Sequence, residues 1–155
     1  MPMIVMAAFI TWLVTAGGGL CLVAIWVIEF DQSAAASRLP KTVVSAHGLL
    51  AVAGLGAWAG YLITDRSKFA WAAVATLGVV MLLGLTMGAR WISVYRAHRT
   101  PSPVLVPVGA HGEVERAPAA PPERHLPLPL VLAHGLLAGC TVVLVLLSAL
   151  DVVGS

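Results

Sequence analysis

Two histidines lie inside long apolar stretches of this chain, each within the same hexapeptide, AHGLLA. The first copy contains His47 and the second contains His134. An imidazole can bind a metal ion, carry a proton or donate a hydrogen bond, and it can remain neutral in an apolar surrounding. An ionisable residue inside a membrane segment is a candidate functional residue by default, because burying it is costly. These two histidines are therefore the first candidates for chemistry.

The stretches that hold the histidines are two of four apolar runs that are long enough to cross a bilayer. Of the 155 residues only 10% are charged, whereas a soluble domain carries about 25%. Each run reaches or exceeds the roughly 20 residues that a transmembrane helix needs. The sequence therefore predicts an all-α, four-helix transmembrane bundle. It forms a single integral membrane domain over residues 1–155, with spans at about 3–28, 42–64, 69–89 and 126–150.

The charged residues outside the spans predict how the protein sits in the membrane. Four spans place both termini on one side, and the loops on the other side hold seven of the nine Lys and Arg residues. Short loops rich in Lys and Arg stay in the cytoplasm. We therefore expect a bacterial cytoplasmic membrane protein with both termini outside. The proline-rich segment at about 97–125 lacks any helical or strand period, which predicts a mobile cytoplasmic loop.

The repeated hexapeptide has a companion repeat, and together they predict a duplicated helical hairpin. Span one ends with GLCLVAIWVIEF, and span three ends with GLTMGARWISVY. Aligned without gaps, the two segments share Gly, Leu, Ala and Trp, and they match Val with Ile and Phe with Tyr. The two similarities occur in the same order at equivalent ends of successive helices. We therefore predict two tandem similar hairpins, related by an axis along the membrane normal.

Helix geometry then predicts that the two histidines lie at similar depth. His47 lies six residues after Lys41, and His134 lies eight residues after Leu126. Each histidine is therefore roughly 9–12 Å along its helix from the cytoplasmic end. Haem iron takes axial ligands from both sides of the porphyrin, and helix bundles build such sites from facing helices. Gly48 and Gly135 follow the histidines and would let a flat ring approach. We predict a cofactor-binding site of His47, His134, Gly48 and Gly135, in which the two histidines bind haem iron.

These features resemble the small b-type cytochromes of membranes, such as the cytochrome b561-like four-helix bundles and the membrane anchor subunits of respiratory complexes. The resemblance covers the four spans and rests on His47 and His134, on parallel helices, with their glycines. It implies a bis-histidine haem b, electron transfer, and quinone or a larger membrane or redox complex as partner. The b561-type core uses two histidine pairs for two haems, whereas this chain has one pair. At most one haem, near the cytoplasmic leaflet, is therefore expected.

The alternative is a cofactor-free structural or accessory four-span membrane protein, in which both histidines only pack. A hydrogen bond between membrane helices contributes on the order of 0.6 kcal/mol, which suits that role. No span contains Asp or Glu, or a nucleophile beside a base, so we predict no autonomous catalytic site. The net charge of +2 and the lack of a basic cluster interleaved with aromatics argue against nucleic acid. The first expected partner is the lipid bilayer.

Overall fold

The computed structural model describes residues 3–32, 37–99 and 121–154, and these residues form four long helices. The helices are α1 (Met3–Gln32), α2 (Lys41–Thr64), α3 (Ser67–Arg99) and α4 (Leu128–Gly154), and a short 3-10 helix (Pro122–His125) precedes α4. All four α-helices are long and apolar enough to cross a membrane. No strand occurs within the described ranges. The predicted all-α, four-helix transmembrane fold is confirmed.

Prolines and one left-handed residue set the ends of the helices. The carbonyls of Pro40 and Pro127 accept hydrogen bonds from the amides three and four residues later, at 3.0–3.1 Å. Proline suits this position because the first residues of a helix need no N–H donor. The residue after α2, Asp65, caps the helix: it has a φ of 53° and donates its N–H to the carbonyl of Tyr61 at 2.8 Å. A tight turn therefore leads directly into α3.

The structure differs from the predicted spans and loop mainly around the long connection. α3 continues past residue 89 to Arg99, because Trp91 and Val94 remain buried against the bundle beyond the apolar run. Residues 100–120 of the predicted mobile loop lie outside the described residues. The last part of that loop forms the 3-10 helix, in which Pro122 and Glu123 are buried. These residues are therefore part of the packed structure.

The four helices surround a common interior. α2 packs most extensively on α3, and α1 packs most extensively on α4, whereas α3–α4 and α1–α2 share smaller contacts. Within the described ranges, α1 makes no close backbone contact with α3, and α2 makes none with α4, so these pairs lie diagonally opposite. Exchanging α1 with α3 and α2 with α4 preserves this pattern. The arrangement is the one expected of two similar hairpins related by a twofold axis.

Buried positions recur at constant offsets in the two hairpins. The offset between α1 and α3 is 65 residues, as from Gly19 to Gly84, and the offset between α2 and α4 is 87 residues, as from His47 to His134. The pairs that are buried at both members are Val5 and Ala70, Ala8 and Ala73, Trp12 and Leu77, Thr15 and Val80, Trp26 and Trp91, Leu39 and Leu126, Gly54 and Thr141, Trp58 and Val145, and Tyr61 and Ser148. This agreement supports the predicted duplication.

Two clusters of buried side chains lie at the two ends of the bundle. The terminal-side core, near both termini, consists of Val5, Ala8, Trp12, Trp58, Tyr61, Ala70, Ala73, Leu77, Val145 and Ala149. The loop-side core, near the long connection, consists of Trp26, Leu39, Trp91 and Leu126. Large apolar side chains also face outward on every helix, for example Leu20, Ile63, Leu82 and Leu136. An apolar exterior of this extent is typical of a membrane-embedded surface.

Candidate functional site

His47 and His134 meet in the middle of the bundle, although they come from diagonally opposite helices. Their ring centres are 6.3 Å apart, and the ring planes are inclined at 58°. Each histidine follows a buried leucine of the loop-side core by eight residues, Leu39 in one hairpin and Leu126 in the other. The structure therefore brings the predicted pair together, at equivalent positions of the two hairpins.

A backbone carbonyl on a neighbouring helix holds each imidazole by its Nδ1 atom. The Nδ1 of His47 lies 3.0 Å from the carbonyl oxygen of Val80 on α3, and the Nδ1 of His134 lies 3.0 Å from that of Thr15 on α1. Because a carbonyl can only accept, each Nδ1 carries a proton and donates it. The Nε2 of a neutral ring then keeps its lone pair, which is the form of histidine that binds a metal.

Two glycines on the neighbouring helices allow the rings to approach the backbone. A Cβ atom added to Gly19 would lie 3.0 Å from Cε1 of His134, and one added to Gly84 would lie 3.2 Å from Cε1 of His47. These distances are shorter than ordinary van der Waals contacts, so a larger residue would displace the ring. Gly19 and Gly84 are the first residues of the two aligned segments of spans one and three. The sequence alone does not indicate that they contact the imidazoles.

Gly48 and Gly135, the glycines assigned to the site from the sequence, lie elsewhere on their helices. Both are exposed, and a Cβ atom added to either would meet nothing within 4 Å. Adjacent positions on a helix point about 100° apart, because a turn contains 3.6 residues. Their role at a haem therefore stays a prediction, and the described close contacts to the imidazoles come from Gly19 and Gly84.

At the level of the histidines, none of the described residues is fully buried. No residue is buried between Thr15 and Trp26 in α1, or between Val80 and Trp91 in α3; each stretch corresponds to about 16 Å of helix. Protein interiors are normally close-packed, yet here the inner positions are only partly covered. The partly exposed residues at this level of the four helices include Ala16, Gly18, Gly19, Leu50, Ala51, Gly84, Leu137 and Ala138. This level separates the terminal-side core from the loop-side core.

The imidazole pair supplies two nitrogen ligands, which is too few for a metal centre made by protein alone. Within the described ranges, no three His, Cys, Asp or Glu side chains are grouped so that they could hold a metal ion. Structural zinc sites use four protein ligands, and catalytic ones use three. A haem requires fewer, because the porphyrin supplies the equatorial nitrogens and the protein supplies only axial ligands. Two imidazoles are the number of protein ligands that a six-coordinate haem requires.

The surroundings of the two imidazoles differ in one respect. The Oγ1 atoms of Thr15 and Thr141 lie 3.3 Å apart, and both residues are buried between α1 and α4. Val80 and Gly54 occupy the equivalent positions between α2 and α3, so that side lacks the hydroxyl pair. The two carbonyl–imidazole bonds are therefore similar in geometry but not identical in environment.

Comparison of the chain with protein-family models, curated proteins and solved structures gives no match.

Proposed function

We propose that this protein is a small b-type cytochrome-like membrane subunit that binds one haem b between His47 and His134. It transfers electrons to or from a quinone or a larger respiratory partner. The observation that carries the proposal is the imidazole pair, with ring centres 6.3 Å apart and each Nδ1 held by a carbonyl. Two imidazoles on opposite sides of one metal ion, at about 2 Å per metal–nitrogen bond, have ring centres roughly 6 Å apart. The observed separation therefore suits one iron atom.

His47 and His134 would hold the iron through Nε2, and the residues around them fix how they do so. When bound, haem supplies one-electron redox chemistry at its iron. The carbonyls of Thr15 and Val80 set the tautomer and orientation of the rings, and such bonds also make the ligating nitrogen more basic. Gly19 and the equivalent glycine on α3 leave room for the rings beside the backbone. The two cores lie on either side of the histidine level along the bundle.

The position of the pair along the helices favours electron exchange on the loop side of the membrane. His47 lies six residues from Lys41, the first residue of α2, and seventeen from Thr64, the last. At 1.5 Å per residue these separations are about 9 and 26 Å. A complete electron path across the membrane would need a second pair of ligands nearer the terminal side. The single pair therefore suits a subunit that serves one side.

We place the loop side in the cytoplasm and both termini outside, because the loops hold seven of the nine Lys and Arg residues. This orientation can be tested with single cysteines at Ser67 and Ser102, each in a chain without Cys21 and Cys140. We expect a membrane-impermeant maleimide applied from outside to label position 67 and spare position 102. The opposite labelling pattern would reverse the orientation.

The haem assignment can be tested by removing each imidazole in turn. We expect His47→Ala and His134→Ala each to abolish six-coordinate haem binding in the absorption spectrum of the purified protein. The double variant should lose no more than either single variant, since one coordination unit is broken. The matched control is His111→Ala, a histidine outside the four apolar runs, which should keep the spectrum. A full low-spin haem spectrum in either of the first two variants would reject the pair as axial ligands.

The second candidate is a cofactor-free structural or accessory membrane protein, and the hydrogen bonds of the imidazoles favour it. Each ring already bonds to a neighbouring helix at 3.0 Å, and such bonds contribute on the order of 0.6 kcal/mol. In that case the two alanine variants would show small and roughly additive losses in the free energy of unfolding. No variant, and no wild-type sample, would show a haem spectrum.

A further inference from the structure

The 3-10 helix before α4 carries a buried carboxylate that the sequence analysis did not single out. Glu123 is only 1% exposed. Its Oε1 accepts hydrogen bonds from the indole N–H of Trp26 at 3.4 Å, from the amide N–H of Leu39 at 3.1 Å, and from the hydroxyl of Ser37. All three donors belong to the first hairpin, whereas Glu123 belongs to the second. One carboxylate oxygen therefore ties the two hairpins together at the loop side.

Glu123 also bonds to its own hairpin, at the equivalent residue. Its backbone carbonyl accepts a hydrogen bond from the amide of Leu126 at 3.3 Å. Leu39 and Leu126 are 87 residues apart, and both are buried in the loop-side core. Each also precedes its histidine by eight residues. Glu123 therefore connects two equivalent turns, one through its side chain and the other through its main chain.

This connection matters because the chain before α4 only weakly constrains the position of that helix along the bundle. α1 and α2 are joined by residues 33–40, whereas α3 and α4 are joined by residues 100–127. A long connection constrains the positions of its ends only weakly. In lipid, the hydrophobic effect also does not favour one position of an apolar helix along its neighbour over another position. A slip of one turn would move His134 by about 5.4 Å and separate the two imidazoles.

We propose that Glu123 sets the vertical register of α4 against the first hairpin, and thereby holds His134 level with His47. It is a positioning residue that acts through Leu39 and Leu126. The register itself does not depend on a cofactor, but its importance for haem binding rests on the proposed function. The test can therefore be made on the haem-free protein.

The test uses spin labels whose separation has a large component along the helices. We would place cysteines at Ile63 and Leu132, which are both exposed, in a chain with Cys21→Ser and Cys140→Ser. Ile63 lies near the terminal-side end of α2, and Leu132 lies near the loop-side end of α4. The distance between the two labels is then measured by double electron–electron resonance.

We expect Glu123→Ala to shift this distance by several ångströms or to add a second population, up to one helical turn of about 5.4 Å. Glu123→Gln should keep the wild-type distance, because its amide oxygen can accept the same three hydrogen bonds. The amide nitrogen would replace Oε2, which makes no hydrogen bond within the described residues. Arg124→Ala, at the exposed neighbouring residue, is the matched control and should also keep the wild-type distance.

A wild-type distance distribution in Glu123→Ala would overturn the proposal. An equal shift in Glu123→Ala between labels at Ile63 on α2 and Leu85 on α3 would also overturn it. The substitution would then have moved helices other than α4. In haem-loaded protein, the electron paramagnetic resonance signal of the iron should change in Glu123→Ala and be restored in Glu123→Gln. Absence of haem from the wild-type protein would remove the proposed function but leave the measured register unaffected.

Discussion

The terminal-side core and the histidine level are built from the same four helices, yet they differ in how deeply their residues are buried. In the terminal-side core, Trp58 is fully buried and Trp12 is 2% exposed, and a Cβ atom on Gly54 would lie 3.1 Å from the Trp12 ring. At the histidine level, glycines face the imidazoles, and none of the described residues is fully buried. The tightly packed core and the imidazole pair therefore occupy different levels of the bundle.

The two levels also differ in how closely the hairpins match. In the terminal-side core, a large residue in one hairpin is often equivalent to a smaller one in the other, as with Trp58 and Val145. Such exchanges are tolerated in a core as long as the total volume is kept. At the histidine level the imidazoles and the glycines nearest to them are identical, histidine with histidine and Gly19 with Gly84, although Thr15 and Val80 differ. A ligand bound between two equal groups requires both of them, which gives a physical reason for this identity.

The largest effect on stability is expected in the terminal-side core. Trp58→Ala should lower the free energy of unfolding by about 3 kcal/mol, as for other large aromatic residues removed from a core. Trp58→Phe should cost much less, because the indole N–H has no hydrogen-bond partner within the described residues. Denaturant titration of the purified protein measures both. Loss of the haem spectrum in a folded Trp58→Ala protein would show that the terminal-side core also determines haem binding. That result would contradict the division of the bundle into two levels.

A smaller and more local effect is expected at the histidine level. Gly19→Ala and Gly84→Ala should each weaken haem binding, on the order of tenfold, because the new Cβ displaces an imidazole from its supporting carbonyl. Gly17→Ala on α1 and Gly78→Ala on α3 are matched controls, since a Cβ there meets nothing within 4 Å. Haem titration of the four variants makes the comparison. Equal weakening in all four would show that helix distortion is responsible.

Much of the fold could be predicted from the sequence, because the relevant signals are local or repeated. Apolar run length predicts the four helices, and the matching segments around His47 and His134 predict that the hairpins are alike. The repeat extends further than the hexapeptide, since Leu39-Pro40 and Leu126-Pro127 start both helices at the same offset. Equal spacing from these prolines places the two histidines at one level.

The contacts that complete the site could not be predicted, because they join helices that are distant in the chain. Neighbours in sequence suggested Gly48 and Gly135, whereas the helix rotation places Gly19 and Gly84 against the rings. Glu123 lies in a proline-rich stretch whose composition suggests only a loop. Its burial depends on three hydrogen-bond donors from the first hairpin. No local sequence pattern indicates these contacts.

The central claim, that the histidine pair holds one haem, is tested most directly by the absorption spectrum of the purified wild-type protein. The protein is isolated in detergent, supplied with haemin, separated from unbound haemin and reduced with dithionite. We expect a sharp b-type α-band and one low-spin haem per chain. A protein that folds and inserts normally, yet shows no such band before or after addition of haemin, would contradict the claim and leave His47 and His134 as packing residues.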